Sequence, residues 1–148
     1  MLNYFKPLFY LIFPPLCSHC KKELLSDEKY ICWCCDLEIQ ATFFELQSNP
    51  SSLDKLFWGR VKINQTFALF YFKKGCVSQT ILHEIKYGHK GDLGIEMGKK
   101  MARAIIGTYS TKTIDALIPV PTHHRKKFNR GYNQSEKLAL GISELTNI

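Results

Sequence analysis

Three segments of the chain repeat their apolar residues every three or four positions, which is the spacing of an amphipathic helix. The first covers residues 77–87, the second begins near Leu93, and the third covers residues 134–146. The pattern predicts three helices. The repeating positions are Val77, Ile81, Leu82 and Ile85 in the first segment, Leu93, Met97, Met101, Ala104 and Ile105 in the second, and Leu138, Ala139, Ile142 and Leu145 in the third.

Two apolar runs without this spacing predict β-strands. Residues 66–72 are rich in aromatic side chains and end at Lys73-Lys74-Gly75, as expected for a strand followed by a turn. Residues 115–120 form a shorter run of the kind found in buried strands, and they lead into Pro121. Because these strands alternate with helices, the expected fold class is α/β.

The first half of the chain is divided at short breaks rich in proline and serine. Residues 1–15 form an apolar arm that ends at Pro14-Pro15 and is too short to span a bilayer. The arm also lacks the basic start and the cleavage site of a signal peptide, so we expect a cytoplasmic protein without a transmembrane segment. We predict an arm and cysteine-rich module at residues 1–40, a connector at residues 41–60, and a larger domain at residues 61–148.

The charge balance favours an anionic partner. Lysine and arginine number 20 against 13 aspartates and glutamates, which gives a formal net charge of +7. Phosphates, a nucleic acid or an acidic protein surface would each suit this balance, and charge alone does not choose among them. The hydrophobic content of 45% is that of a folded protein, and it argues against long disordered segments.

The cysteines change this picture most, because five of the six lie between residues 17 and 35. Cys17 and Cys20 form one C-x2-C pair, Cys32 and Cys35 form a second, and eleven residues separate the pairs. This spacing is typical of two knuckles that face one tetrahedral zinc ion. Four protein ligands leave no open position for a substrate, so the predicted zinc is structural.

Two residues inside the knuckles could compete for the ion. Choosing Cys34 over Cys35 would break the C-x2-C geometry, so Cys34 is expected to be a spare thiol. His19 would crowd its neighbours and is expected to be a solvent-facing loop residue. Disulfide pairing is the alternative to metal binding, and it is the weaker one in a reducing cytosol.

A basic loop follows the second predicted strand and leads into the third predicted helix. Residues 118–134 contain Arg125, Lys126, Lys127 and Arg130, and no acidic residue follows until position 136. In open α/β sheets ligands bind at such strand ends, and the next helix would offer amide donors. A phosphate or pyrophosphate site and a merely solvated basic loop both remain open on this chemistry.

Several stretches together resemble the ComF family, competence-associated proteins with an N-terminal zinc ribbon and a type I phosphoribosyltransferase-like domain. The resemblance covers most of the chain, and the last stretch is more specific than the cysteines alone. The stretches are Phe13-Pro14-Pro15-Leu16-Cys17-Ser18-His19-Cys20, the second cysteine pair, Ile81-Leu82-His83-Glu84-Ile85-Lys86-Tyr87, residues 115–121, and Arg130-Gly131-Tyr132-Asn133-Gln134.

The resemblance implies a Rossmann-like phosphoribosyltransferase domain at residues 61–148, of which this chain carries the first part. It also implies a role in the uptake or processing of transforming DNA. The implied partners are single-stranded DNA or a ligand similar to phosphoribosyl pyrophosphate, and proteins of the competence machinery such as a helicase. The implied anion-binding residues are Lys86, Arg125, Arg130, Gly131, Asn133 and Gln134.

One element of the family pattern is missing from the sequence. Type I phosphoribosyltransferases hold the ribose and 5′-phosphate with two adjacent acidic residues and a Thr/Gly-rich turn, whereas the only adjacent acidic pair here is Asp27-Glu28. The chain is therefore expected to be the front part of a longer protein, and Mg²⁺ binding is expected only in that protein. We expect no phosphoribosyl transfer by this chain alone and assign no catalytic residue.

Two alternatives to the competence function stay open at this point. The chain could be a fragment of an active phosphoribosyltransferase that needs the rest of its domain. It could also be a zinc-stabilised interaction module without nucleotide chemistry.

Overall fold

A computed structural model of the chain describes residues 13–46, 51–106 and 114–148. The three predicted helices are confirmed, and two shorter ones accompany them. The α-helices are α1 (Trp33–Leu37), α2 (Val77–Tyr87), α3 (Gly91–Ile106), α4 (His124–Arg130) and α5 (Gln134–Thr146), and two 3-10 turns cover Phe44–Leu46 and Asp54–Phe57.

The predicted α/β fold class is wrong for the described part of the chain, which is mostly helical and contains no sheet. Residues 66–72 are not a strand, although Phe70 forms an isolated antiparallel bridge with Ala41. Residues 115–120 have no strand assignment either, and Ile118 is 88% exposed. An apolar run becomes a strand only where another segment supplies backbone partners, and no described segment pairs with residues 115–120.

The first part of a Rossmann-like phosphoribosyltransferase domain is therefore not observed at residues 61–148. Helix α3 and helix α5 instead form the most extensive contact between helices. Their crossing is close because glycines face each other: a carbon added at Gly98 would lie 3.0 Å from the Cα atom of Gly141. The two backbones meet with no side chain between them.

The core of the described residues joins the cysteine-rich module to the helices. Cys17, Cys32 and Cys35 are buried in the same apolar cluster as residues of α2 and α3. The three cysteines thus share a core with α2 and α3, on which the geometry of their cluster depends. The members of this cluster from α2 and α3 are Val77, Ile81, Ile85, Leu93 and Met97.

Most of the predicted apolar arm, residues 1–12, lies outside the described residues, as do residues 47–50 of the predicted connector. Among the described helices, none combines the length and the apolar composition needed to cross a membrane. The division into residues 1–40, 41–60 and 61–148 stays a prediction.

Candidate metal centre and basic cavity

The four cysteines chosen from the sequence spacing converge on one point. The sulfur atoms of Cys17, Cys20, Cys32 and Cys35 all lie within 4.8 Å of one another. The Sγ atoms of Cys20 and Cys32 are 3.6 Å apart. A tetrahedral ion with metal–sulfur bonds of about 2.3 Å needs sulfur atoms about 3.8 Å apart, so the cluster fits such an ion.

Two kinds of local structure present the thiols. Around the first pair, the amide of Cys17 donates to the carbonyl of Lys22 at 2.8 Å, and Lys21 turns the chain with a φ of 62°. In the second pair, Cys32 immediately precedes α1 and Cys35 lies inside it. The amide of Ser18 donates to the carbonyl of Tyr30 at 2.8 Å and so ties the first knuckle to the chain that leads into the second.

The surroundings of the thiols shift two pKa values in opposite directions. At Cys17, burial raises the pKa, but hydrogen bonds from backbone amides, led by that of Cys32, outweigh it and lower the pKa to about 6. At Cys35, burial and then hydrogen bonding with the neighbouring thiols raise the pKa above its ordinary value. One thiolate therefore forms readily, while further negative charge in the cluster needs a cation to balance it.

The residues inside the knuckles do not compete for the metal position. Cys34 is exposed, as expected for a spare thiol. His19 differs from the expectation of a solvent-facing side chain: it is half-buried, and its Nδ1 atom is hydrogen-bonded to the hydroxyl of Thr80 at 2.8 Å. Thr80 lies in α2, 61 residues away, so no local sequence signal could have revealed this contact.

Further polar contacts attach the cysteine module to α3 and its start. The ammonium of Lys90 donates to the hydroxyl of Ser18 at 2.8 Å. Lys29 forms an ion pair with Glu96 at 3.3 Å, and Lys100 pairs with Asp36. The module is therefore attached along α3 by polar pairs as well as by the shared core.

The Arg-Gly-Tyr-Asn-Gln motif forms the turn between α4 and α5. Gly131 ends α4 with a φ of 78°, which is the left-handed conformation that glycine adopts without strain. The hydroxyl of Tyr132 donates to the carbonyl of Ile85 at 2.6 Å and fixes the turn to α2. The motif thereby holds the end of α2 next to the start of α5.

Asn133 holds the same turn from inside. Its side chain is only 3% exposed, and its amide nitrogen donates to the carbonyl of Val120 at 3.0 Å. Its oxygen accepts from the hydroxyl of Thr122 at 2.8 Å and from the amide of Ser135 at 3.1 Å, which caps α5. Asn133 is thus occupied in joining residues 120–122 to the start of α5.

Next to this turn lies a hollow that we call the basic cavity. It consists of two adjoining parts, each of about 350 Å³, that share Lys86, Tyr87, Lys126 and Arg130 in their walls. Arg130 stacks over the ring of Tyr87, 5.3 Å from its centre, and donates to the oxygen of Gln134 at 2.5 Å. The cavity is therefore cationic, and one of its cations is held in a fixed orientation.

Three of the six residues implied as anion ligands meet in the basic cavity. Lys86, Arg130 and Gln134 line it, although 44 and 48 residues of chain separate Lys86 from the other two. Gly131 and Asn133 shape the turn beside it. Arg125 is exposed on α4 and is not among the residues that line the cavity, so its proposed role stays a prediction.

The cavity also contains residues that the resemblance did not suggest. Lys126 lies in the basic loop, and Tyr87 directly follows Lys86, so both stood beside residues already singled out. His89 and His123 line one part of the cavity each. In the described part of the chain, none of the cations Lys86, Lys126 and Arg130 is paired with a carboxylate. Their charges are thus available to a ligand.

Comparisons with known proteins add no assignment to these sites. No family model, curated protein or solved structure gives a significant match to the chain. The resemblance to the ComF family therefore stays a prediction from the motifs, and the functional argument depends on the two sites themselves.

Proposed function

We propose that this chain is a zinc-stabilised, ComF-like protein whose basic cavity binds the phosphate groups of single-stranded DNA during the uptake or processing of transforming DNA. The observation that carries the proposal is the convergence of Lys86, Arg130 and Gln134 in one cavity. These residues come from two separate motifs of the ComF resemblance. Of the features that the ComF resemblance implies, the proposal keeps the zinc ribbon and the anion site and leaves out the Rossmann-like scaffold.

The proposed metal is zinc, in a structural role. Four thiolates at tetrahedral spacing suit Zn²⁺ or an iron centre, and the four protein ligands close the coordination sphere. Elemental analysis of protein purified without added metal tests this directly. We expect one zinc per chain, and iron in its place or a metal-free folded protein would contradict the assignment.

The chemistry of the cavity suits a phosphate. The guanidinium of Arg130 can donate two hydrogen bonds to one phosphate, while Lys86 and Lys126 act as point charges. The side-chain oxygen of Gln134 accepts a hydrogen bond from Arg130, which limits the orientations of the guanidinium. Preorganised donors lose little side-chain entropy when the ligand binds.

Aromatic rings beside these cations favour single-stranded nucleic acid over an isolated phosphate ion. Phe128 on α4 is 88% exposed, and Tyr87 is 61% exposed at the wall of the cavity. Bases of single strands stack on such rings while their phosphates contact neighbouring cations. One ring lies at the end of α2 and the other on α4, two residues before Arg130.

Fluorescence anisotropy with a labelled oligothymidylate tests the proposal. We expect binding to weaken steeply between low and moderate salt, because cations on the protein displace counterions from the phosphates. Arg130→Gln should weaken binding by about tenfold, since a hydrogen bond to a charged group contributes about 1.5 kcal/mol or more. Arg103→Gln, which removes an exposed arginine of α3 outside the cavity, is the matched control.

Two outcomes would reject the DNA proposal. Binding that is insensitive to salt would show that phosphates are not the recognised group. Equal effects of Arg130→Gln and Arg103→Gln would show that the net charge acts without the cavity, as expected for a plain interaction module. Proteins of the competence machinery, including a helicase, stay predicted partners.

A second candidate ligand is suggested by the shape of the site. Each part of the basic cavity is a concavity of about 350 Å³, which suits a compact polyphosphate such as a ligand similar to phosphoribosyl pyrophosphate. Competition separates the two candidates. If phosphoribosyl pyrophosphate displaces the oligonucleotide at low concentration, the compact ligand is favoured, and if it does not, single-stranded DNA is.

A further inference from the structure

An apolar cavity of about 240 Å³ adjoins the basic cavity. Its walls come from α2, α3 and α5 and from the chain at residues 69–70. Apart from residues at its rim, the lining side chains are all apolar. They are Leu69, Phe70, Ile81, Leu82, Ile85, Met97, Met101 and Leu138.

The two cavities meet along a shared polar rim. Lys86, Gln134 and Ser135 line both the apolar cavity and the first part of the basic cavity. A lysine can lay its methylene stem along an apolar wall while its ammonium group reaches the polar side. A single ligand could therefore occupy both sides of this rim at once.

We infer that the two cavities form one bipartite site for a small phosphate monoester that carries an apolar group. The phosphate would lie against Arg130, Lys126 and Lys86, and the apolar group would enter the neighbouring cavity. The inference rests on the proposed function in one respect, namely that the basic cavity binds phosphate.

The contrast between the two linings argues for an amphiphilic occupant. An anion is disfavoured against the apolar walls away from this rim, because it would lose its hydration there without gaining donors. A neutral apolar molecule alone would leave the cations of the basic cavity without a partner. Met97 and Met101 have flexible, polarizable side chains, so the apolar cavity can adapt to groups of different shape.

Two sources of such a ligand share this chemistry. An alkyl phosphate would place its chain in the apolar cavity, and a nucleotide would place its base there. Both carry a phosphate monoester joined to a less polar group. The experiment therefore includes one ligand of each kind.

Titration calorimetry of the whole chain with hexyl phosphate, adenosine monophosphate, inorganic phosphate and hexanol tests the inference. We expect hexyl phosphate to bind at least about tenfold more tightly than inorganic phosphate, since each buried methylene can add a factor of about three to four. Hexanol should bind more weakly than hexyl phosphate. Whichever of adenosine monophosphate and hexyl phosphate binds more tightly shows which kind of ligand the site prefers. The tighter of the two must also bind more tightly than inorganic phosphate.

Variants test whether the higher affinity for hexyl phosphate comes from the apolar cavity. Met101→Gln should bring the affinity for hexyl phosphate close to that for inorganic phosphate and leave inorganic phosphate binding unchanged. Leu140→Gln, at an exposed position of α5 outside both cavities, should have no effect. If Met101→Gln does not fold, Leu82→Gln in the wall of the apolar cavity takes its place. The ligand series with the unaltered chain tests the bipartite site without any variant.

The outcomes separate this inference from the function on which it rests. Binding of inorganic phosphate with no gain for either monoester overturns the bipartite site and leaves the phosphate proposal standing. Binding of hexanol as tight as that of hexyl phosphate also overturns it, because the two cavities would then act independently. No binding of any phosphate overturns both.

Discussion

The residues of the Arg-Gly-Tyr-Asn-Gln motif divide into two groups by what they contact. Gly131, Tyr132 and Asn133 are engaged within the turn, through the backbone conformation and through bonds to Ile85 and Val120. Arg130 and Gln134 face the basic cavity. In the sequence, all five residues of the motif could be taken for ligand-binding residues. In the structure, three of them instead fix the backbone that shapes the site.

Asp54 shows how one carboxylate organises an irregular segment. It accepts hydrogen bonds from the amide of Ser51 at 2.7 Å and from the amide and hydroxyl of Thr66 at 2.7 and 2.5 Å. The hydroxyl of Thr66, followed by the amide of Ser51, lowers the pKa of Asp54 to about 2. The ionised form of this side chain thus stabilises the fold.

Asp54→Asn should lower the free energy of unfolding at neutral pH and lose its effect in acid. The folded pKa of about 2 lies below the unfolded value of about 3.9, so the stabilisation is complete above about pH 4. It is lost as the pH falls from there through the folded pKa. Urea unfolding at pH 7 and at pH 2.5 measures the difference between the two proteins.

The matched control for this change is Asp115→Asn, because Asp115 is exposed and forms no hydrogen bond or ion pair in the described part of the chain. It should unfold like the unaltered chain at both pH values. An Asp54→Asn protein that is equally destabilised at both values would show that the charge of Asp54 is not the stabilising factor.

At the scale of elements, the crossing of α3 and α5 depends on two glycines. A methyl group at Gly98 would collide with the backbone at Leu138 and Gly141, and backbone atoms cannot rotate away. We expect Gly98→Ala to destabilise the fold by about 1–3 kcal/mol despite the better helix propensity of alanine. Thermal unfolding followed by circular dichroism measures this loss.

Gly94→Ala in the same helix is the control for helix propensity. Its nearest obstacle is the side chain of Lys137, whose Cβ atom would lie 3.1 Å from the added carbon. A small shift relieves that contact, so the loss should be clearly smaller than for Gly98→Ala. Equal losses would mean that the close helix crossing is not what limits the stability.

The helices were predictable from sequence and the absence of strands was not. Helical spacing is a local property, because one face of α2 or α5 repeats its apolar residues within the element itself. A strand needs a partner elsewhere in the chain, and the composition of residues 66–72 or 115–120 does not reveal whether one exists. The helix α4 was missed because its seven residues are nearly all polar and carry no apolar stripe.

In the candidate sites, too, local features were predictable from the sequence and contacts between distant segments were not. The four cysteines of the candidate metal centre were predictable because their spacing is local to two short segments. The basic cavity was predictable only in part, because Lys86 came from the resemblance. The stacking of Arg130 on Tyr87 and the adjoining apolar cavity depend on how α2 lies against the turn between α4 and α5. Such contacts between distant segments are not visible in sequence periodicity.

At the scale of the whole molecule, the candidate metal centre and the helices share one core. Cys17, Cys32 and Cys35 are buried with residues of α2 and α3, and Lys29 and Lys100 add ion pairs across the same contact. Exposed ion pairs contribute little, so the shared core carries most of this coupling. Loss of the metal is therefore expected to affect α2 and α3 as well as the knuckles.

The energies involved indicate how far this effect extends. Zinc binding to four-ligand sites in small modules contributes about 10–16 kcal/mol, and whole domains are stable by only about 5–15 kcal/mol. Removing the proposed zinc with a strong chelator should therefore unfold α2 and α3, which far-UV circular dichroism detects as lost helicity. Readdition of zinc should restore the signal.

A pair of adjacent cysteines makes this prediction specific. Cys35→Ser removes a buried ligand and should lower the melting temperature to that of the chelated protein, because three thiolates hold zinc less tightly. Cys34→Ser changes an exposed thiol next to it and should leave zinc content and melting temperature unchanged. If chelation removed the zinc and left the helicity intact, the helices would be stable without the metal, and the core shared with the cysteines would not be what holds them together.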